Sequence, residues 1–164
     1  MKPLGPVPPG FTARDGVLAI DGTKVTELVA RAGSTPLFVY SASMVRAKVA
    51  RLRAAMPARL AIHYAIKANP FVPLLRVMDG LVDGFDVASG GELGILRKAG
   101  VDPARISFAG PGKRDIELEV AIETGTTLNL ESAGEASRAL AIAERLGITP
   151  RLAIRVNPDF DLKG

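Results

Sequence analysis

The sequence predicts an α/β chain that forms the first part of a (β/α)8 barrel, preceded by strands of a second, β domain. Three observations lead there. The first is alternation. From Ser41 onward, short apolar runs and helical segments follow one another at close spacing, which means a parallel sheet. The second is parity. With side chains alternating along a strand, Phe85 and Val87, Ile106 and Phe108, Leu128 and Leu130, and Leu152, Ile154 and Val156 share one face. The other face carries Ala65 and Lys67, Gly84, Asp86 and Ala88, Ser107 and Ala109, Thr127 and Asn129, and Ala153 and Arg155. A sheet covered by helices on both sides is apolar on both faces. A barrel with helices outside and chemistry at its carboxyl mouth predicts one bulky apolar face and one small or polar face. The third is length: a whole barrel takes roughly 250 residues, and these 164 supply five strand-helix units. The chain is therefore expected to be the amino-terminal portion of a longer protein, with residues 37–164 as its incomplete barrel.

Residues 1–36 read as an arm followed by β-domain strands. Met1 to Gly10 has a charge but no apolar stretch, so it is a proline-stiffened arm and not a secretory signal. Gly16-Val17-Leu18-Ala19-Ile20 next to Asp21-Gly22 gives a hairpin signal, and Leu37-Phe38-Val39-Tyr40 is a further strand. A helix follows from Ser43 to Met56, capped by Ser41 or Ser43 and stopped by Pro57. Ala61 to Lys67 is a strand ended by Asn69-Pro70, which can neither extend it nor sit inside a helix. Val72 to Met78 is a helix with Pro73 in its first turn. Gly84–Ala88, Ile106–Ala109, Thr127–Leu130 and Leu152–Val156 are strands; Gly90–Ala99, Asp115–Thr124 and Ala133–Leu146 are helices, each closed by a glycine. Ser89-x-x-Glu92 and Ser132-x-x-Glu135 each follow a strand and read as capping boxes; a glycine-rich helix start holding phosphate is the alternative.

With 48% hydrophobic and 23% charged residues, the chain has the composition of a globular domain with one sizeable core. Apolar runs stay well short of the ~20 residues a membrane helix requires. The absence of cysteine excludes disulfides and thiolate metal sites and fits a reducing cytoplasm. The net charge of +4 is densest at Arg46, Lys48, Arg51 and Arg53, the spacing of a solvated helix face. Nucleic-acid binding calls for a longer basic stripe with interleaved aromatics, and aromatics are 5% here.

Chemistry gathers on the polar face. A lysine at the carboxyl end of a buried strand is costly unless it serves a reaction. The plain alternative is a surface lysine at a strand exit. On a low-dielectric wall the free amine is favoured, and that form attacks carbonyls. Asp86, one strand away from Lys67, is expected to orient it and hold the positive charge of an imine, and Arg155 to bind a carboxylate or phosphate. A structural ion pair among the three is the competing reading. His63, the single histidine, reads as a buried, hydrogen-bonded barrel filler one layer deeper, and no metal set is visible.

These residues carry a resemblance. Tyr64-Ala65-Ile66-Lys67-Ala68-Asn69 resembles the pyridoxal-phosphate lysine motif of the fold-type III decarboxylases, which act on diaminopimelate, ornithine and arginine. Phe85-Asp86-Val87-Ala88-Ser89-Gly90-Gly91-Glu92-Leu93 is similar to the family's second block, and Gly110-Pro111-Gly112-Lys113 and Arg155-Val156-Asn157-Pro158 to later ones. The similarity runs from about Leu37 to Pro158, with four blocks in order. It implies an alanine-racemase-like, TIM-like barrel and pyridoxal 5'-phosphate as cofactor, with Lys67 forming its Schiff base. By the same resemblance Asp86 and Arg155 lie around that lysine, Asp86 also in a catalytic role, with Glu92 near the substrate. The implied reaction is decarboxylation of a basic or diamino acid, in lysine biosynthesis if the acid is diaminopimelate, by a cytoplasmic homodimer. Asp159 to Lys163 lacks the histidine that diaminopimelate enzymes tend to show there. The family's His-x-Gly-Ser segment, glycine-rich phosphate loop, pyridine-nitrogen acid and carboxy-terminal sheet domain are expected beyond Gly164, so this chain alone is expected to be inactive. Two other readings stand beside it. One is a racemase or cofactor carrier of the same fold, against which the Phe85–Glu92 block argues; the other is a non-catalytic half-barrel that assembles through its open edge.

Overall fold

The structure, a computed structural model, describes residues 10–159. Residues 1–9 of the arm read at Met1 to Gly10, and the segment 160–164, lie outside the described residues. The chain forms two compact units that divide after Pro57, a different cut from the one the strand-helix pattern suggests at residue 36.

In the amino-terminal unit, β1 (Phe11–Arg14), β2 (Val17–Ile20) and β3 (Thr23–Lys24) make an antiparallel meander in that order. The Asp-Gly signal works twice. Asp15-Gly16 and Asp21-Gly22 both take positive φ at both positions, the backbone a two-residue hairpin loop needs to match strand twist. Helix α1 (Val25–Ala32) follows directly, and sequence reasoning missed it. Its start carries no side-chain cap, so the usual signal is missing. Leu37 to Tyr40, expected as a strand, forms none. All four side chains are exposed, and no strand lies beside them among the described residues to supply a ladder. Helix α2 (Ala42–Ala55) begins as read: the Met44 N–H donates to Ser41 Oγ at 3.1 Å. The Ser41 and Ser43 hydroxyls both donate to Asp21, at 2.8 and 2.7 Å. Those bonds, Ser43's the stronger influence, hold the Asp21 carboxyl below its usual range.

The second unit is the five-stranded sheet with its helices. It comprises β4 (His63–Ala65), α3 (Val72–Asp79), β5 (Gly84–Val87), α4 (Gly90–Ala99), β6 (Ile106–Phe108), α5 (Asp115–Thr124), β7 (Thr127–Leu130), α6 (Ala133–Leu146) and β8 (Leu152–Ile154). Every neighbouring pair is parallel, and the spatial order is the chain order, β4-β5-β6-β7-β8. A doubly wound sheet reverses that order at a switch point; a barrel does not. The unit is the arc of a partial barrel.

Its apolar face is the one parity indicated. Phe85, Val87, Ile106, Phe108, Leu128 and Leu130 are buried, and Leu75, Leu93, Leu96, Leu118, Ile122 and Ala139 from the helices are buried with them. Burying one such side chain stabilises by roughly 1.5–3 kcal/mol. The cover ends at β8, where Ile154 and Val156 are each 79% exposed. On the opposite face, register aligns Ala65 with Asp86, Asp86 with Ser107, and Asn129 with Ala153. Away from the strand carboxyl ends, Arg105 clamps the turn after α3, donating to Asp79 Oδ1 and to the carbonyls of Asp79, Val82 and Asp83. That end serves stability, which leaves the other for chemistry.

Candidate active site

A cleft of about 530 Å³ opens on the polar face, where Lys67, Asp86, Glu92, Ser107, Asn129 and Arg155 meet. Its remaining walls are mostly small, with Ala65, Ala88 and Ala109 among them. All four residues singled out from the sequence line this one cavity.

Lys67 is not on a strand, contrary to expectation. The strand stops at Ala65, and Ile66–Ala68 winds into a single 3-10 turn. Tyr64 OH donates to the Asn69 carbonyl at 3.3 Å, and Asn69 Oδ1 accepts the Phe71 N–H at 3.0 Å. These bonds fix the Asn-Pro corner and pull the chain out of the sheet before the lysine. Ile66 is wholly buried and Lys67 exposed, so the in-out alternation survives the turn. The Lys67 side chain is exposed at the cleft and makes no ion pair or side-chain hydrogen bond among the described residues.

Asp86 sits mid-sheet on β5, half exposed, with Oδ1 at 3.4 Å from His63 Nδ1. His63 is therefore not the buried filler expected; its side chain is 37% exposed. The structural ion pair of Asp86 with Lys67 or Arg155, the competing reading, does not occur among the described residues, and the aspartate's partner is the histidine.

Glu92 has a double position. It lines the cleft, and its Oε2 accepts the Ala88 N–H at 2.7 Å while its own N–H donates to Ser89 Oγ at 3.2 Å. The glutamate reaches one residue past the serine, so this is a capping box opened by one position. The second serine–glutamate pair does the same: Glu135 N–H donates to Ser132 Oγ, and Glu135 Oε2 accepts the Glu131 N–H at 2.8 Å. Arg155 lies just beyond β8, which ends two residues earlier than read. Its N–H donates to the Leu130 carbonyl at 3.0 Å, and its Nη1 donates to Glu131 Oε2 at 3.2 Å.

Sequence reasoning missed the support beneath these residues. Lys113 and Glu135 form an ion pair at 3.0 Å, with side chains 1% and 3% exposed. Lys113 Nζ also donates to the carbonyls of Gly110 and Asn129, and it lies 5.6 Å from the centre of the Phe108 ring. Glu131 Oε1 accepts the Gly110 N–H at 2.5 Å. That backbone bond, helped by the charges of Arg155 and Lys113, holds the Glu131 carboxyl below its usual range. Gly110 adopts φ +112°, and a Cβ there would stand 3.0 Å from the Ala88 carbonyl oxygen, so only glycine lets the loop lie this close. Lys113 and Glu135 stood in quoted motifs; their meeting across 22 residues left no local signal.

Residues 42–164 match the family model described as pyridoxal-dependent decarboxylase, pyridoxal binding domain. The diaminopimelate decarboxylase of Aquifex aeolicus is 42% identical over 156 residues, covering 94% of this chain and 37% of that protein. The enzyme of the same name from Neisseria meningitidis serogroup B is 39% identical over 137 residues, covering 82% and 33%. The crystal structure of diaminopimelate decarboxylase from M. jannaschii in co-complex with L-lysine superposes with a TM-score of 0.80 at 31% identity, covering 93% of this chain and 37% of that one. The Helicobacter pylori enzyme complexed with L-lysine gives 0.76 at 34% identity, covering 85% and 36%. The chain thus spans little more than a third of the length of the relatives it matches.

Proposed function

The chain belongs to the pyridoxal-dependent decarboxylases, and from that premise we propose that it is the lysine-bearing part of an enzyme that decarboxylates a diamino acid of the diaminopimelate class. The observation that carries the reading is Lys67, an amine without an ion partner among the described residues, in one cleft with Asp86 and Arg155 at the carboxyl edge of the sheet.

The cleft's chemistry fits pyridoxal phosphate. An aldehyde calls for an accessible primary amine, an anionic group calls for a guanidinium, and a flat ring calls for small walls such as Ala65, Ala88 and Ala109. When bound, the cofactor supplies an aldehyde that joins amines and a ring that takes up the electron pair left when carbon dioxide departs. Lys67 would be its covalent anchor, its amine presented to the cleft from the 3-10 turn Ile66–Ala68. Asp86 sets a negative charge on the same face, and His63 holds one of its oxygens. Arg155 is the cation for a phosphate or carboxylate. Glu92, tied by one oxygen to Ala88 N–H, borders the substrate's place. Relatives crystallised with L-lysine support a product of lysine's size and charge. We further place the enzyme in the cytoplasm, working as a homodimer.

The test is carbon dioxide release from diaminopimelate by the whole protein that contains this chain. Lys67→Ala should lower turnover by on the order of 10³-fold or more, as loss of a covalent centre does. Turnover retained within tenfold would overturn the assignment.

A further inference from the structure

We infer that Glu131 is a positioning residue for Arg155, and that the buried Lys113–Glu135 pair sets Glu131 in place. The consequence for ligand binding rests on the proposed contact of Arg155 with the cofactor's anion; the positioning itself rests on geometry alone.

Glu131 is the meeting point of three segments. Its Oε1 accepts the Gly110 N–H from the loop after β6, and its Oε2 accepts Arg155 Nη1 from the end of β8. Its own N–H donates to Glu135 Oε2 at the start of α6. The other oxygen of Glu135 accepts Lys113 Nζ, whose two remaining protons go to the Gly110 and Asn129 carbonyls at 2.6 and 2.9 Å. A lysine ammonium has three donors, and here all three are used inside the protein. Gly110 is thereby gripped at both its N–H and its carbonyl, once by Glu131 and once by Lys113. Arg155 by contrast is half exposed, and among the described residues its side chain finds, beyond Glu131, only Asn157 Oδ1 at 3.4 Å. A flexible guanidinium held by one nearly buried carboxylate takes its direction from it. The other end of that carboxylate is fixed by the backbone of the loop that borders the cleft at Ala109. Arg155 and the loop therefore move together or not at all.

Glu131→Gln separates the two bonds, since the amide oxygen still accepts the Gly110 N–H while its NH2 faces Arg155 instead of a carboxylate. Two readouts on the full chain test the inference. The first is the rate at which pyridoxal phosphate with borohydride labels Lys67, measured in the unmutated protein, E131Q, R155A and the double variant. E131Q should slow labelling about five- to tenfold, R155A by a similar factor, and the double variant no further than R155A. E131Q at the unmutated rate, or a double variant slowed by the product of both factors, would overturn the inference while leaving Arg155 its cofactor contact. R155A at the unmutated rate would overturn that contact, and with it the consequence for binding. The second readout is the Arg155 Nε–H resonance, which should shift in E131Q and, in the unmutated protein, only as acid protonates Glu131. A resonance indifferent to both overturns the positioning whatever the labelling shows, and the acid titration needs no variant to fold.

Discussion

Glu117 shows how one side chain on α5 holds a second helix in place. It accepts the Gly90 N–H at 2.7 Å, and the Arg114 N–H and Nε at 3.0 Å each. The Arg114 backbone bond is the largest influence, and together these hold the carboxyl at about 2, down from 4.5. A carboxylate depressed in the folded state adds stability that is complete above its unfolded pKa and vanishes as pH falls through the folded one. Glu117→Gln should therefore cost roughly 1–3 kcal/mol at neutral pH. The difference from the unmutated chain should close between about pH 4.5 and 2, as urea titrations at stepped pH would report. A cost independent of pH would contradict the charge argument. Gly90 matters for the same reason. A Cβ there would stand 2.7 Å from Glu117 Oε1, so Gly90→Ala should cost about 1–3 kcal/mol by displacing the carboxylate, again read by urea unfolding. At this scale the sequence was legible where chemistry and parity agree: Lys67, Asp86 and Arg155 do share a cleft. It was misleading on surroundings. Whether Lys67 and His63 are buried depends on walls far away in the chain, and no local pattern records them.

Elements were legible in proportion to how locally they are determined. Helices α4, α5 and α6 begin and end at the residues read from sequence: a glycine closes all three, and Ser-x-x-Glu opens α4 and α6, signals that act within one turn. Helix α1 escaped notice: its start has neither a side-chain cap nor the first-turn proline that marks α3. Strand extents were overread at both margins of the five-stranded sheet, at Ala61–Lys67 and at Leu152–Val156, and Leu37–Tyr40 forms no strand at all. A strand exists only as far as a partner pairs with it. The Lys113–Glu135 pair joins elements in a way sequence could not reveal, and it sets a test. Lys113→Met leaves a buried glutamate unpaired and should destabilise the second unit by about 3–5 kcal/mol. The double substitution K113M/E135M should recover much of that loss in urea unfolding, because two apolar side chains leave no uncompensated charge. A single variant as stable as the parent would mean that the pair contributes nothing.

At the scale of the molecule, the described residues give five parallel strands in barrel order with one polar face open, in a chain that spans 37% of its Aquifex aeolicus relative. A reaction that must exclude water and grip a phosphate calls for a closed site. We therefore predict that the 164-residue chain, purified alone, releases no carbon dioxide from diaminopimelate; measurable turnover would contradict this. Capture of the cofactor asks for less, because it needs only the amine and its neighbours. The most direct test of the central claim is to incubate the chain with pyridoxal phosphate, reduce with borohydride and map the modified lysines by mass spectrometry. Lys48, Lys98 and Lys67 are all exposed, and Lys113 is buried. The account predicts label concentrated on Lys67. Label spread equally over Lys48, Lys98 and Lys67 would mean that exposure alone governs reaction, and that the cleft organises no site.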